Sequence, residues 1–112
     1  MNFSEFVLIN VNYLLNGQTT HAKVVFKAKT RTAIIKWTVE SSLLSNALHL
    51  YKGTSQKGLE RIMHFDGGAK RGTAIVPKYS GLVSDKQVTL TISKLEPSDE
   101  GTYFYAQWDS NN

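Results

Sequence analysis

A period of two in the hydrophobic residues constrains this chain more than anything else in it. In HAKVVFKA, residues Ala22, Val24 and Phe26 fall on one side and Lys23 and Lys27 on the other. In AIIKWTVE, residues Ala33, Ile35, Trp37 and Val39 oppose Lys36, Thr38 and Glu40; in QVTLTISKL, residues Val88, Leu90 and Ile92 oppose Thr89 and Thr91. Successive side chains of a strand point to opposite faces, so these runs read as strands with one buried face. Their β-branched and aromatic content suits a pleated surface. Turn-forming residues separate them at Asn16-Gly17, Lys52–Gly58, Asp66–Gly68 and Ser80-Gly81. The run ESSLLSNAL is compatible with a helical turn, but it lies between strands and reads as a connection. The pattern predicts strands over 6–13, 21–28, 33–40, 47–52, 61–65, 74–79, 87–94 and 101–108. No segment sustains a helical period. Short strands with frequent turns make a β-sandwich or a barrel.

The 112 residues suffice for one domain, taken as 1–112. A hydrophobic share of 41% with 20% charged residues is not that of a disordered chain. No apolar run approaches the length of a membrane span, and the start MNFSEF lacks the basic and apolar regions of a signal peptide. With no cysteine, disulfides, thiolate metal sites and cysteine nucleophiles are all excluded. The absence of disulfides is only weak support for a cytosolic location. The net charge is +4, with Lys23, Lys27, Lys29, Arg31 and Lys36 in one acid-free stretch. Such a stretch could touch nucleic acid; a solvated strand edge and loop is the plainer reading.

No catalytic or cofactor-binding constellation is legible. His21, His49 and His64 are dispersed without metal-ligand spacing, and Asp99 and Glu100 are adjacent rather than facing. DGGAKRG is glycine-rich but opens no predicted helix, so it reads as a loop and not as a phosphate cradle. No cofactor and no metal is expected. Asn2, in NFS, carries the glycosylation acceptor pattern.

The stretch KYSGLVSDKQVTLTISKLEPSDEGTYFY, Lys78–Tyr105, resembles strands D, E and F of variable (V-set) immunoglobulin domains without a gap. The D-x-G-x-Y signature is present as Asp99, Gly101 and Tyr103. The resemblance implies an all-β, V-set β-sandwich. It implies that Tyr103 is the tyrosine-corner residue and that Asp99 pairs with Lys78. Tyr105 stands where the family has the second cysteine of its inter-sheet disulfide. Two registers are open for the first half. In one, Phe26 takes the first cysteine's place and Trp37, eleven residues on, the strand C tryptophan's, with ALHLY as strand C′ and ERIMHF as C″. In the other, Trp37 takes the first cysteine's place and Leu50 the tryptophan's, which leaves 36 residues for strands A and B. The first is preferred here because it leaves strands A and B a shorter segment to fill. It predicts a core of Phe26, Trp37, Tyr103 and Tyr105. Buried aromatic rings contribute about 1.5–3 kcal/mol each, comparable with the roughly 2–4 kcal/mol of a disulfide. Seven residues follow Tyr105, too few for a hairpin and strand G, so strand G is expected to be short or missing and strand F to have an open edge.

In that register the outward positions of strands C, C′ and F are Ile34, Lys36, Thr38 and Glu40, then Leu48 and Tyr51, then Phe104, Ala106 and Trp108, with Arg61 at the rim. Aromatic anchors with a charged rim describe a protein interface. The ending GTYFYAQWD is similar to T-cell-receptor gamma variable segments, while a disulfide-free V-like domain resembles the membrane-distal domain of colonial hydroid allorecognition receptors. The expectation from the latter is a non-enzymatic cell-surface recognition domain, the extracellular part of a single-pass membrane protein. It would bind an identical or allelic copy on another cell, associate weakly, and touch neither nucleic acid nor membrane itself. The alternatives are an antigen-receptor-like domain that pairs with another V domain, and a basic β-barrel that binds nucleic acid.

Overall fold

The computed structural model describes residues 6–15, 18–20, 24–28, 32–38 and 47–107, with the backbone alone described for 6–28 and for 107. The described strands are β1 (Phe6–Leu15), β2 (Gln18–Thr20), β3 (Val24–Ala28), β4 (Ala33–Thr38), β5 (Leu48–Thr54), β6 (Gly58–Phe65), β7 (Thr73–Ala74), β8 (Tyr79–Ser84), β9 (Gln87–Ile92) and β10 (Gly101–Gln107). A short 3-10 turn, Pro97–Asp99, links β9 to β10. The larger sheet runs β2-β1-β10-β5-β6-β7, with β3 also paired to β1; the smaller runs β4-β9-β8. All the pairings are antiparallel except β1 with β10.

The period of two places the core between the sheets. Ala33, Ile35 and Trp37 on β4 and Val88, Leu90 and Ile92 on β9 turn inward from the small sheet. Leu48 and Leu50 on β5, Ile62, Met63 and Phe65 on β6, and Tyr103 and Tyr105 on β10 are buried from the large one. The adjacent Ile62 and Met63 are both buried because the β5–β6 register shifts at Leu50/Tyr51, where Leu50 opposes Met63 and Tyr51 opposes Arg61. That bulge leaves one extra residue on β6 and reverses its alternation.

Three expectations are corrected here. Trp37 does not lie on strand C: its strand β4 pairs with β9 in the small sheet, while β5 pairs with β10. The second register is therefore the right one, with Trp37 in the first cysteine's place and Leu50 in the tryptophan's. Phe26 lies on β3, beside β1 in the larger sheet, so it does not take strand B's position; its side chain lies outside what is described. The strand expected over 74–79 is instead the short β7 followed by β8, and Ser80-Gly81 lies inside β8 rather than in a turn. The turn between β8 and β9 is Asp85-Lys86, both with positive φ (48° and 66°). Finally, the edge of β10 is not open: β1 runs parallel to it from Ile9↔Gly101 to Leu15↔Gln107, on the flank where strand G was expected.

Candidate protein-docking face

Two constellations stand out. The first is the corner between β9 and β10, which is structural. The Tyr103 hydroxyl donates to the Asp99 carbonyl at 2.6 Å. The Asp99 carboxylate accepts from the Glu96 N–H at 2.8 Å and lies 2.7 Å from Lys78 Nζ. Lys78 also donates to the Lys94 carbonyl at 3.0 Å. A buried carboxylate needs such partners, because desolvation without them is costly. Lys52 reaches the same corner from β5, donating to the Ser98 carbonyl with its ammonium 6.0 Å from the Tyr103 ring centre. Burial pulls the Lys52 amine below the usual lysine range. Burial also pushes the Tyr79 phenol up to about 12, with the Asp99 and Glu60 charges adding to it. At the centre of the sandwich Trp37 and Tyr105 meet across the two sheets, ring centres 6.5 Å apart and planes tilted 41°.

The second constellation is the outer face of β10, β5 and β6. Register sets three cross-strand rows: Thr102, Gly53 and Leu59; Phe104, Tyr51 and Arg61; Ala106, His49 and His64. Gly53 has no side chain to separate its neighbours; a Cβ there would stand 3.2 Å from Phe104 Cε2 and 3.7 Å from Leu59 Cδ1. An apolar floor results, with Leu59 57% exposed. Beside it, Arg61 donates to His49 Nδ1 at 3.4 Å, and the His49 and Tyr51 rings are 6.3 Å apart. His64 Nε2 lies 3.9 Å from the Asp66 carboxylate. Burial, then the Arg61 and His64 charges, hold the His49 imidazole below its usual range. Among the described residues no three acids and histidines are grouped to hold a metal.

Of the residues named from sequence, Tyr51, Phe104, Ala106 and Arg61 share this face. Ile34, Lys36 and Thr38 do not join them: they are exposed on β4, on the other sheet. Leu48 is not outward but buried at 1% exposure, across from Phe65. Glu40, Trp108 and Asn2 lie outside the described residues. Sequence reading missed His49, Leu59 and His64 as members of this face. The second register carried the signal, since Leu50 in the tryptophan's place points inward and turns His49 and Tyr51 outward.

The chain matches no model of a known protein family. Its structure is similar to that of a marsupial T cell receptor, with a TM-score of 0.65 over 96% of this chain, at 16% identity. This decides the fold. The chain folds as an immunoglobulin-type variable domain, without the inter-sheet disulfide. It spans less than half, 46%, of the receptor chain it matches. In this variable-type frame β4 is strand B, β5 is C, β6 is C′, β8 is D, β9 is E and β10 is F. The Trp37–Tyr105 contact then occupies the disulfide's place.

Proposed function

We propose that this chain is a receptor-type recognition domain, not an enzyme, that binds protein through the outer face of β10, β5 and β6. The supporting observation is the floor formed by Phe104, Tyr51 and Leu59 around Gly53, with Arg61 at its side. Aromatic anchors on a sheet face, edged by a guanidinium, are groups that carry binding energy at protein interfaces. On this reading the domain is displayed outside the cell as part of a longer receptor, and the face takes a second, identical or allelic copy on an opposing cell. A two-fold contact of that kind presents the same patch on both partners. Weak pairs suffice between cells, where many copies act together.

A second reading is pairing with a different variable-type domain. It is favoured by the charge of the face: Arg61 and two histidines stand in the rows, which hold no carboxylate, and Asp66, 3.9 Å from His64, lies beyond their end. A partner with a carboxylate opposite Arg61 would complement it. Beads coated with the chain and with a folded Tyr51→Asp, Phe104→Asp double variant separate the readings. Self-docking predicts that the wild-type beads clump and the variant beads do not. Equal clumping removes this face, and no clumping by wild type, with binding to a second variable domain, moves the assignment to hetero-pairing.

A further inference from the structure

We propose that Asp66-Gly67 is a site of covalent backbone modification, where the Asp66 side chain closes on the Gly67 nitrogen and water reopens the ring to isoaspartate. The inference is independent of what the domain binds. The reaction needs water and no cofactor. The Gly67 amide nitrogen attacks Asp66 Cγ in its carboxylic acid form. An N–C bond forms, the C–OH bond breaks, and the hydroxyl leaves as water with the amide proton. Water then adds to one of the two ring carbonyls. Opening at Cγ restores aspartate. Opening at the α-carbonyl carbon leaves the chain running through Cβ and Cγ, with the carboxylate on Cα.

Such a closure requires a carboxyl that nothing pins, a nitrogen whose proton is free to leave, and no side chain crowding that nitrogen. All three conditions meet in this turn. The Asp66 side chain is 86% exposed, and its carboxylate's one polar contact among the described residues is His64 Nε2 at 3.9 Å, too long for a hydrogen bond. The Gly67 N–H donates to no described residue. Gly67 is itself exposed and has no β-carbon. The Ala69 N–H donates to the Asp66 carbonyl at 2.9 Å, and Gly68 has a φ of 79°, as the third residue of a type II turn does. Two consecutive glycines give this backbone the freedom to bring its nitrogen onto Cγ.

The other described aspartates show what prevents the step. Asp99 is 3% exposed, and its carboxylate is held by Lys78 and the Glu96 N–H. The N–H that follows it, of Glu100, donates to the Pro97 carbonyl at 3.2 Å. Asp85 is exposed, but the residue after it is Lys86, whose β-carbon crowds the nitrogen. The consequence at Asp66 is local. Isomerisation adds a methylene to the backbone between Phe65, paired with Leu48, and Lys70, whose carbonyl accepts from the Val83 N–H at 2.7 Å. The carbonyl that Ala69 reaches is displaced, and the carboxylate moves onto the backbone carbon, away from its place beside His64.

The experiment is incubation of the folded chain for several weeks at neutral pH and body temperature. Isoaspartate is then read by methyl transfer from a radiolabelled donor with an isoaspartyl methyltransferase, and located by peptide mapping. Wild type is expected to accumulate isoaspartate in the peptide that spans Asp66, at unchanged mass, and far less at Asp85 and Asp99. Asn16-Gly17 can form the same linkage by losing ammonia, but that changes the mass of a different peptide. Gly67→Val, at a position without positive φ, is expected to lose most of the signal at Asp66, with circular dichroism confirming the fold. Asp66→Glu, which keeps the charge, shows how much of the total label belongs to this site. Amide exchange at Ala69 should be faster in the modified chain. No isoaspartate at Asp66 in wild type overturns the proposal. Equal accumulation in wild type and Gly67→Val overturns the role given to the uncrowded glycine nitrogen. Isoaspartate at Asp66 with unchanged exchange at Ala69 overturns the effect on the turn.

Discussion

At the scale of single residues, one contact stands in the disulfide's place and one cluster closes the β9–β10 corner. Trp37 and Tyr105 join the sheets at the centre, and Lys78, Asp99 and Tyr103 lock the corner at one end. Truncating Trp37 to Ala leaves a large cavity between the sheets. The expected loss is about 3–5 kcal/mol, measured by urea unfolding. That is a large part of the 5–15 kcal/mol typical of a whole domain. Replacing Lys78 by Met strands the Asp99 carboxylate, which is only 3% exposed. Breaking such a pair from one side costs about 3–5 kcal/mol, and the Glu96 N–H that remains on Asp99 favours the lower end. Tyr79 adds a pH dependence. Its phenol rises from 10.0 to about 12 on folding, so the folded state holds the proton longer than the unfolded chain does. The contribution is full below pH 10 and is lost as pH rises toward 12. Thermal melts should show the midpoint of wild type falling more steeply across that window than that of Tyr79→Phe.

At the scale of elements, how much the sequence disclosed depended on how local the determinant was. The Asp99, Gly101 and Tyr103 spacing and the Lys78–Asp99 pair lie within a continuous stretch, and alternation alone identified β4, β9 and β10. Which sheet β4 joins is a non-local fact. The pattern in AIIKWT describes a half-buried strand equally well in either sheet, so nothing inside it separates strand B from strand C. The error carried over to the candidate face: Ile34, Lys36 and Thr38 were assigned to it and His49 was not. Leu48 was misplaced because it was set on one face with Tyr51, three positions on, which strict alternation forbids; Ile62–Met63 could not be read because a bulge defeats that alternation. The β8–β9 turn was hidden by its residues. Asp85-Lys86 is not a favoured pair for a two-residue turn with both φ values positive, where Asn-Gly is preferred. Replacing Asp85-Lys86 by Asn-Gly should therefore stabilise the domain by about 1 kcal/mol, since the left-handed region costs ordinary residues roughly 1–2 kcal/mol. A raised urea midpoint with an unchanged slope would show it; no rise would mean that these side chains have contacts that matter more than the backbone strain.

At the scale of the whole molecule, the large sheet is built from both ends of the described chain. The β10 strand is held on one side by β5 and on the other by β1, whose register covers all seven of its residues. Parallel pairing needs a long connection between its strands, and here that connection is most of the sandwich itself. This arrangement gives β10 no free edge, and a free edge is a template for unwanted pairing. It also backs the proposed docking face, because Phe104 and Ala106 stand on the strand that β1 supports. Two outcomes follow from the pairing. Backbone amides of 101–107 should exchange slowly along the whole strand, alternate ones being bound to β1 and to β5. Deleting residues 1–20, which removes β1 and β2, should speed exchange at every second amide of β10, those that point toward β1. It should also produce concentration-dependent association through the bared edge, visible by light scattering. This association would differ from docking through the outer face, because it should persist in the Tyr51→Asp, Phe104→Asp background, whose substitutions leave the backbone edge untouched. Unchanged exchange in the deleted chain would refute the parallel β1–β10 pairing and return the edge of β10 to the open state first expected of it.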